Sequence, residues 1–178
     1  MWPLLSLMFL LVVQAPDQPL KTVKVRGVSV SLPTQWQSDT PKTTVAADGQ
    51  VTIMNFRSIT KPTMLGRLRV LEGHAPSPCD SVQAVIELEA ERPARKIKIL
   101  QAPKLINVGN YATCEGRFRA VNDLGVPTIT TLITVAKSKQ KAAALSFGVV
   151  DQAWGAGKRV YDVRRSDMLR TVKSVKFD

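Results

Sequence analysis

The 178-residue chain is 44% hydrophobic, enough for one domain burying about 70% of the surface its unfolded form exposes, and that size demands no second core. It carries 25 Lys+Arg against 14 Asp+Glu, a net charge of +11, so the folded surface has a positive field that favours acidic partners. The cations are spread along the whole sequence, which excludes a basic tail and leaves a merely solvated surface as the alternative to a functional one.

Leu4 to Val13 is an uncharged apolar run. As a helix it spans roughly 15 Å, about half of a bilayer core, too short for a membrane anchor. Gln14-Ala15 and a polar stretch from Pro16 follow, so the run reads as a secretory signal with cleavage after Ala15. No Lys or Arg precedes the run and Pro16 would be the first mature residue. A buried N-terminal helix or strand is therefore the alternative. No cysteine stands in lipobox position. Residues 16–22 are then a short linker, and 23–178 a single α+β domain.

From Thr22 the pattern is that of a strand. Val23 and Val25 share one phase and Val28, Val30 and Leu32 the other, which predicts a bulge or break at Gly27. Pro33 ends this strand and brings Trp36 to a turn, as a core plug. Asp48-Gly49, between Thr43–Val45 and Val51–Phe56, signals a tight hairpin. In the next strand, near Leu65–Leu71, Gly66, Leu68 and Val70 alternate with Arg67 and Arg69.

Ser77-Pro78-Cys79-Asp80 opens a helix: Ser77 caps it, Pro78 suits its first position and Asp80 falls three after the cap. Pro93 closes it. Cys79, Val82, Val85 and Ile86 form its apolar side. Lys96–Leu100 is a short strand and Asn107–Asn110 a turn. In Asn110–Val121, Ala112, Cys114, Gly116, Phe118 and Ala120 fall on one side of an extended chain, opposite Tyr111, Thr113, Glu115, Arg117 and Arg119. Such alternation marks a strand with one covered face, and the small residues on that face leave room for a helix to lie across it. Cys79 and Cys114 both project toward that interface, so a disulfide between them is expected to pin helix to sheet, in keeping with export.

Turns at Asn122–Gly125 and Lys137–Lys141 join this strand to Thr128–Val135 and Ala142–Val150 in an antiparallel meander. Trp154-Gly155-Ala156-Gly157 reads as a loop, and a closing helix runs from about Arg159 to Lys173 with Val160, Tyr161, Met168, Leu169 and Val172 as an interrupted apolar stripe. The fold class is α+β, an antiparallel sheet of about six to seven strands flanked by two main helices.

No motif of the chain carries catalysis. Gly155-Ala156-Gly157-Lys158 lacks the first glycine and the Ser/Thr of a phosphate loop, where Gln152 and Arg159 stand. His74, the single histidine, has no nucleophile motif beside it. His74, Cys79 and Cys114 match no zinc spacing. Arg117-Phe118-Arg119 resembles part of an RNA-binding strand, but Glu115 and Ala120 break that motif and Phe118 belongs to the covered face.

Gly27, Leu32-Pro33 with Trp36, Val108-Gly109 before the central strand, and the Ser174-Val175-Lys176-Phe177 ending occur in an order that resembles the PsbP-like superfamily, over roughly Val23 to Phe177. The family usually has Ser-Phe adjacent at that ending, where this chain inserts two residues. The resemblance implies an antiparallel sheet flanked by helices, used without catalysis to bind or assemble with a larger partner. No cofactor or metal and no specific nucleic acid is expected.

The expected function is an exported accessory module that docks a protein. The alternative is a basic module binding anionic polymer or lipid headgroups at the cell envelope, with at most peripheral membrane contact; an enzyme is the remaining class. Lys158, Arg159, Arg164, Arg165, Arg170 and Lys173 crowd the end of the chain and are the expected contact residues, with solubility of the helix as their alternative role.

Overall fold

The computed structural model describes residues 19–46, 49–59, 63–92, 96–121, 125–150 and 156–178, without the side chains at 46, 156–161 and 163. The expected signal segment, Asp48 of the hairpin turn, Pro93, the turn residues 122–124, and Trp154-Gly155 lie outside the described residues. Among those described, eleven strands and two helices form two sheets in which every pairing is antiparallel. The strand count exceeds the six or seven expected, because short edge pieces and a separate small sheet add to the main one.

The small sheet contains β1 (Leu20–Val25), β2 (Val28–Pro33) and β11 (Lys176–Phe177), in the order β1-β2-β11. The phase change at Gly27 is a two-residue hairpin and not a bulge within one strand. Val25 pairs with Val28 across Arg26 and Gly27, whose φ values are 47° and 63°. Two positive φ angles give the turn whose twist matches its strands. Glycine adopts that region freely, whereas Arg26 does so against its Cβ, so the sequence gives only half of the signal.

The large sheet is built from β3 (Trp36–Ser38), β4 (Lys42–Ala46), β5 (Gly49–Ser58), β6 (Met64–Glu72), β7 (Ile97–Ile106), β8 (Ala112–Val121), β9 (Pro127–Ser138) and β10 (Lys141–Val150). Its order is β3-β5-β6-β10-β9-β8-β7, and β4 shares the outer edge of β5 with β3. After β6 the chain crosses through α1 (Pro78–Ala90) to the far edge, then returns strand by strand until β10 pairs with β6. β7 is twice as long as expected. Its irregular pairing with β8 between Ile99 and Lys104 accommodates Pro103 on an edge strand, where a missing N–H is tolerated.

α2 (Ala156–Lys173) begins three residues earlier than expected. Together with the small sheet it covers one face of the large sheet, and α1 covers part of the other. The core between α2, the small sheet and β5, β6 and β10 contains Val28, Val30, Leu32, Met54, Leu68, Leu145, Met168 and Val172. Trp36 is its plug, stacked on Phe56 at 5.4 Å with Phe147 edge-on to Phe56 at 5.8 Å. Phe56 lies flat over its cross-strand partner Gly66, where a Cβ would collide with the ring. The C-terminus is fastened by Ser174, whose Oγ accepts from the Ser31 backbone N–H at 2.7 Å and donates to the Thr171 carbonyl at 2.6 Å.

On the opposite face, Ser77 Oγ accepts from the Asp80 N–H at 3.2 Å and so caps α1. Val82 and Ile86 of this helix pack among Cys114, Phe118, Ala120 and Leu132. Gly116 leaves the space that Val82 fills. The disulfide Cys79–Cys114 is present, with 5.2 Å between the Cα atoms.

Gly66→Ala should destabilise the fold by about 1–3 kcal/mol through overpacking against Phe56; a urea midpoint unchanged from wild type would contradict the close approach. The disulfide closes a loop with a sequence separation of 35, worth about 4 kcal/mol in the chain-entropy model. Reduction should accordingly lower Tm by roughly 10 °C. A melting curve insensitive to reductant, or two alkylatable thiols in the native oxidised protein, would contradict it.

Candidate functional site

The C-terminal cations expected to contact a partner do not share one environment. Arg164 is buried and its Nη1 lies 3.4 Å from Asp167 Oδ2. Arg165 points to the sheet: its Nη1 and Nη2 donate to the two carboxylate oxygens of Glu115 at 3.0 and 3.3 Å. Arg170 is half-buried and Lys173 is exposed, while the side chains of Lys158 and Arg159 lie outside the described residues. Arg164 and Arg165 therefore take part in the packing of α2.

Glu115 explains a further difference from the sequence reading. The polar side of β8 was expected to be uncovered, yet Thr113 and Glu115 are each only 1% exposed; Thr113 donates to the Val108 and Tyr111 carbonyls and Glu115 is met by Arg165 from α2. Both faces of this strand are covered. A carboxylate there is tolerated because Arg165 meets it bidentately and Arg117 Nη2 approaches it at 3.4 Å. Ion pairing, with little apolar area, makes this part of the helix–sheet interface.

The face that does lack a cover lies beside α1. Three rows cross β5, β6 and β10. Arg57, Leu65 and Gly148 make one, Asn55, Arg67 and Ser146 the next, and Ile53, Arg69 and Ala144 the third. On β9 these rows continue into Thr130, Leu132 and Thr134, and Leu132 already packs under α1. Small residues on β10 thus floor a trough between an arginine-bearing side and the helix wall. A hollow of about 560 Å³ lies over Leu65, Arg67, Ser146, Gly148 and Thr130, lined by the strands and Asp39 alone, and a smaller one of about 260 Å³, bordered by Ser81, Ala84 and Val85 of α1, lies over Arg69, Leu71 and Ala144.

Polar groups on this face are arranged in sequence. Asn55 is fixed by Asp39, whose two carboxylate oxygens accept from its backbone and side-chain N–H groups at 2.7 and 2.8 Å. Its own amide oxygen accepts from Arg67 Nε at 2.8 Å. Gln37 Oε1 accepts from Arg57 Nε and Nη2 at 3.3 and 3.1 Å. Arg57 and Arg67 are held by neutral amides, and among the described residues no carboxylate forms an ion pair with Arg57, Arg67 or Arg69. Burial lowers the pKa of Arg69, with further lowering from Arg67 and Arg92 against the opposing pull of Glu89. Leu65 lies between the arginines and is 55% exposed.

Cofactor and metal chemistry find no assembled group among the described residues, where no three His, Cys, Asp or Glu side chains converge. Cys79 and Cys114 are consumed by their disulfide, which removes them from the three-ligand alternative with His74. His74 is exposed at the rim of the smaller hollow. No described helix is long and apolar enough to cross a membrane. The open face itself was visible in sequence only as the alternation of Arg67 and Arg69 with Leu68 and Val70, and of Asn55 and Arg57 with Met54 and Phe56.

No family model matches the sequence, nor does any curated protein. Solved structures do. The Ran-binding protein Mog1p of Saccharomyces cerevisiae superposes with a TM-score of 0.63 at 11% identity, over 90% of this chain and 96% of that one. The solution structure of the PsbP protein of the cyanobacterium Synechocystis gives 0.54 at 10% identity, over 89% and 92%. A crystal structure from Bacteroides thetaiotaomicron gives 0.51 at 12% identity over 85% of this chain, which spans only 45% of that protein. The chain therefore has the PsbP/Mog1-like α+β fold that its sequence resemblance implied.

The Glu115 contact yields a prediction that separates structure from docking. Arg165→Ala leaves a buried carboxylate with Arg117 alone, and should destabilise the protein by about 3 kcal/mol. If chemical denaturation shows no loss, Arg165 is a surface cation and the interface described here is wrong.

Proposed function

We propose that the chain is an exported, non-enzymatic module that docks a protein partner through the uncovered half of its large sheet. The observation that supports this most is the asymmetry of β5, β6 and β10. One face of these strands is packed under α2 and the small sheet, while the other presents Asn55, Arg57, Leu65 and Arg67 to solvent beside α1. A protein of the same fold, Mog1p, is Ran-binding, which supports protein docking as a use of this architecture.

Export is supported by the apolar run Leu4–Val13 and by the Cys79–Cys114 bond, which persists in an oxidising compartment. The net charge of +11 would speed encounter with an acidic partner. Exposed cations near the C-terminus, Lys173 and Lys176, add to that field from the other side of the molecule. They are proposed to act in steering, and the open trough in docking.

Chemical cross-linking in the intact native host, followed by fractionation and N-terminal sequencing, tests this reading. The expected result is a discrete species larger than the monomer, containing one other protein, outside the cytoplasm, with the mature chain starting at Pro16. A cytoplasmic monomer still starting at Met1 would overturn it.

A further inference from the structure

The trough beside α1 has a charge, a spacing and a shape that together define what fits it. Arg57, Arg67 and Arg69 occupy three successive rows of the sheet. Arg67 and Arg69 are two residues apart on one strand, so their Cα atoms are roughly 6.8 Å apart along it. Arg57 lies opposite Leu65, which places it diagonal to Arg67, at roughly 7–8 Å. An extended polypeptide repeats its side chains on one face with the same period. A segment with acidic residues at alternate positions therefore matches the three guanidiniums in register, each carboxylate meeting one cation.

The arginines are prepared for such a ligand. Arg57 and Arg67 are oriented by Gln37 and Asn55, neutral acceptors that fix the guanidinium plane, and the one carboxylate among the described residues lining this hollow, Asp39, is engaged with Asn55 and offsets only part of their charge. Arg69 is half-buried beside α1, with Glu89 of that helix and Arg92 among its charged neighbours, and there an incoming anion, which adds to the pull of Glu89, is screened less than at an open surface. Leu65, between them, offers apolar contact to the segment's intervening stem atoms.

Shape and charge disfavour a broader anion. α1 stands as a wall roughly 10 Å across on this face, and its exposed Asp80, Glu87 and Glu91 are acidic. A flat anionic bilayer or a nucleic-acid duplex pressed against the face would meet those carboxylates before it reached Arg69. A single extended chain passes beside the helix.

We propose that this trough binds an extended acidic segment of the partner protein, with carboxylates at alternate positions seated on Arg57, Arg67 and Arg69. The proposal rests on the docking reading above and names the chemistry of its ligand.

The test is a fluorescence-anisotropy titration of the full oxidised protein with a labelled decapeptide of alternating Glu and Thr, beside a Lys/Thr peptide and a peptide with the same Glu residues in one block. Vesicles containing phosphatidylserine form a separate arm. The alternating acidic peptide should bind most tightly at low salt and weaken as salt rises. Arg57→Gln with Arg67→Gln should reduce its affinity about tenfold or more, while Lys98→Gln with Lys104→Gln on β7 changes it less than threefold. Both double variants replace exposed side chains and should keep the wild-type Tm, which checks that any loss reflects contact. Equal binding by wild type and the Arg57/Arg67 variant, no binding of the alternating peptide, or vesicle binding abolished by that variant would each overturn the proposal. If cross-linking still traps an exported heteromeric complex when the peptide fails to bind, the docking reading stands and only the acidic-segment inference falls.

Discussion

The open face of this protein depends on where α1 is held. Its first turn is joined covalently to β8 by Cys79–Cys114, and Val82 sits in the space left by Gly116 on the same strand. A helix tied there covers the β7–β9 end of the sheet. It reaches β6 only at Arg69, beside Ser81 and Val85, and leaves the rest of β5 and β6, two and more strands of about 4.8 Å further on, uncovered. The far half of that face is thus left to polar and charged residues, and the backbone there is satisfied by strand pairing without a further layer.

On the other face the constraint is electrostatic. α2 and the small sheet lie over an apolar core around Trp36, Phe56 and Phe147, but at β8 the interface contains Glu115, Arg117 and Arg165. Pairing of this kind adds less net stability than apolar packing of equal volume, yet losing one partner is expensive. It therefore restricts how α2 can sit on the sheet. One consequence is that charge at the end of this chain is a poor guide to its binding surface. Arg164 and Arg165, two of the cations expected there, are tied to carboxylates in the packing of α2.

How much of this was legible in the sequence follows the same division. The α1 cap at Ser77-Pro78, the small covered side of β8, the disulfide, the Trp36 plug and the meander were readable, since each rests on local spacing or on a residue type with few roles. The covered polar side of β8 was not, because a sequence reading assigns Glu115 and Arg117 to water unless the opposing Arg165 is already placed. β11 is two residues long and exists through its pairing with β2, and β7 hides its length behind Pro103. The arginines of β5 and β6 were visible as an outward phase. That they line a trough depends on the position of α1, which no local pattern shows.

Residue-resolved mapping of a bound acidic segment tests the account most directly. In a ¹H–¹⁵N NMR titration of the oxidised protein with the alternating Glu/Thr peptide, the account predicts shifts concentrated at Gln37, Asn55, Arg57, Leu65–Arg69 and Ser146, with residues 164–176 nearly unmoved. Shifts concentrated in α2 and the C-terminal strand, with the open face silent, would contradict it.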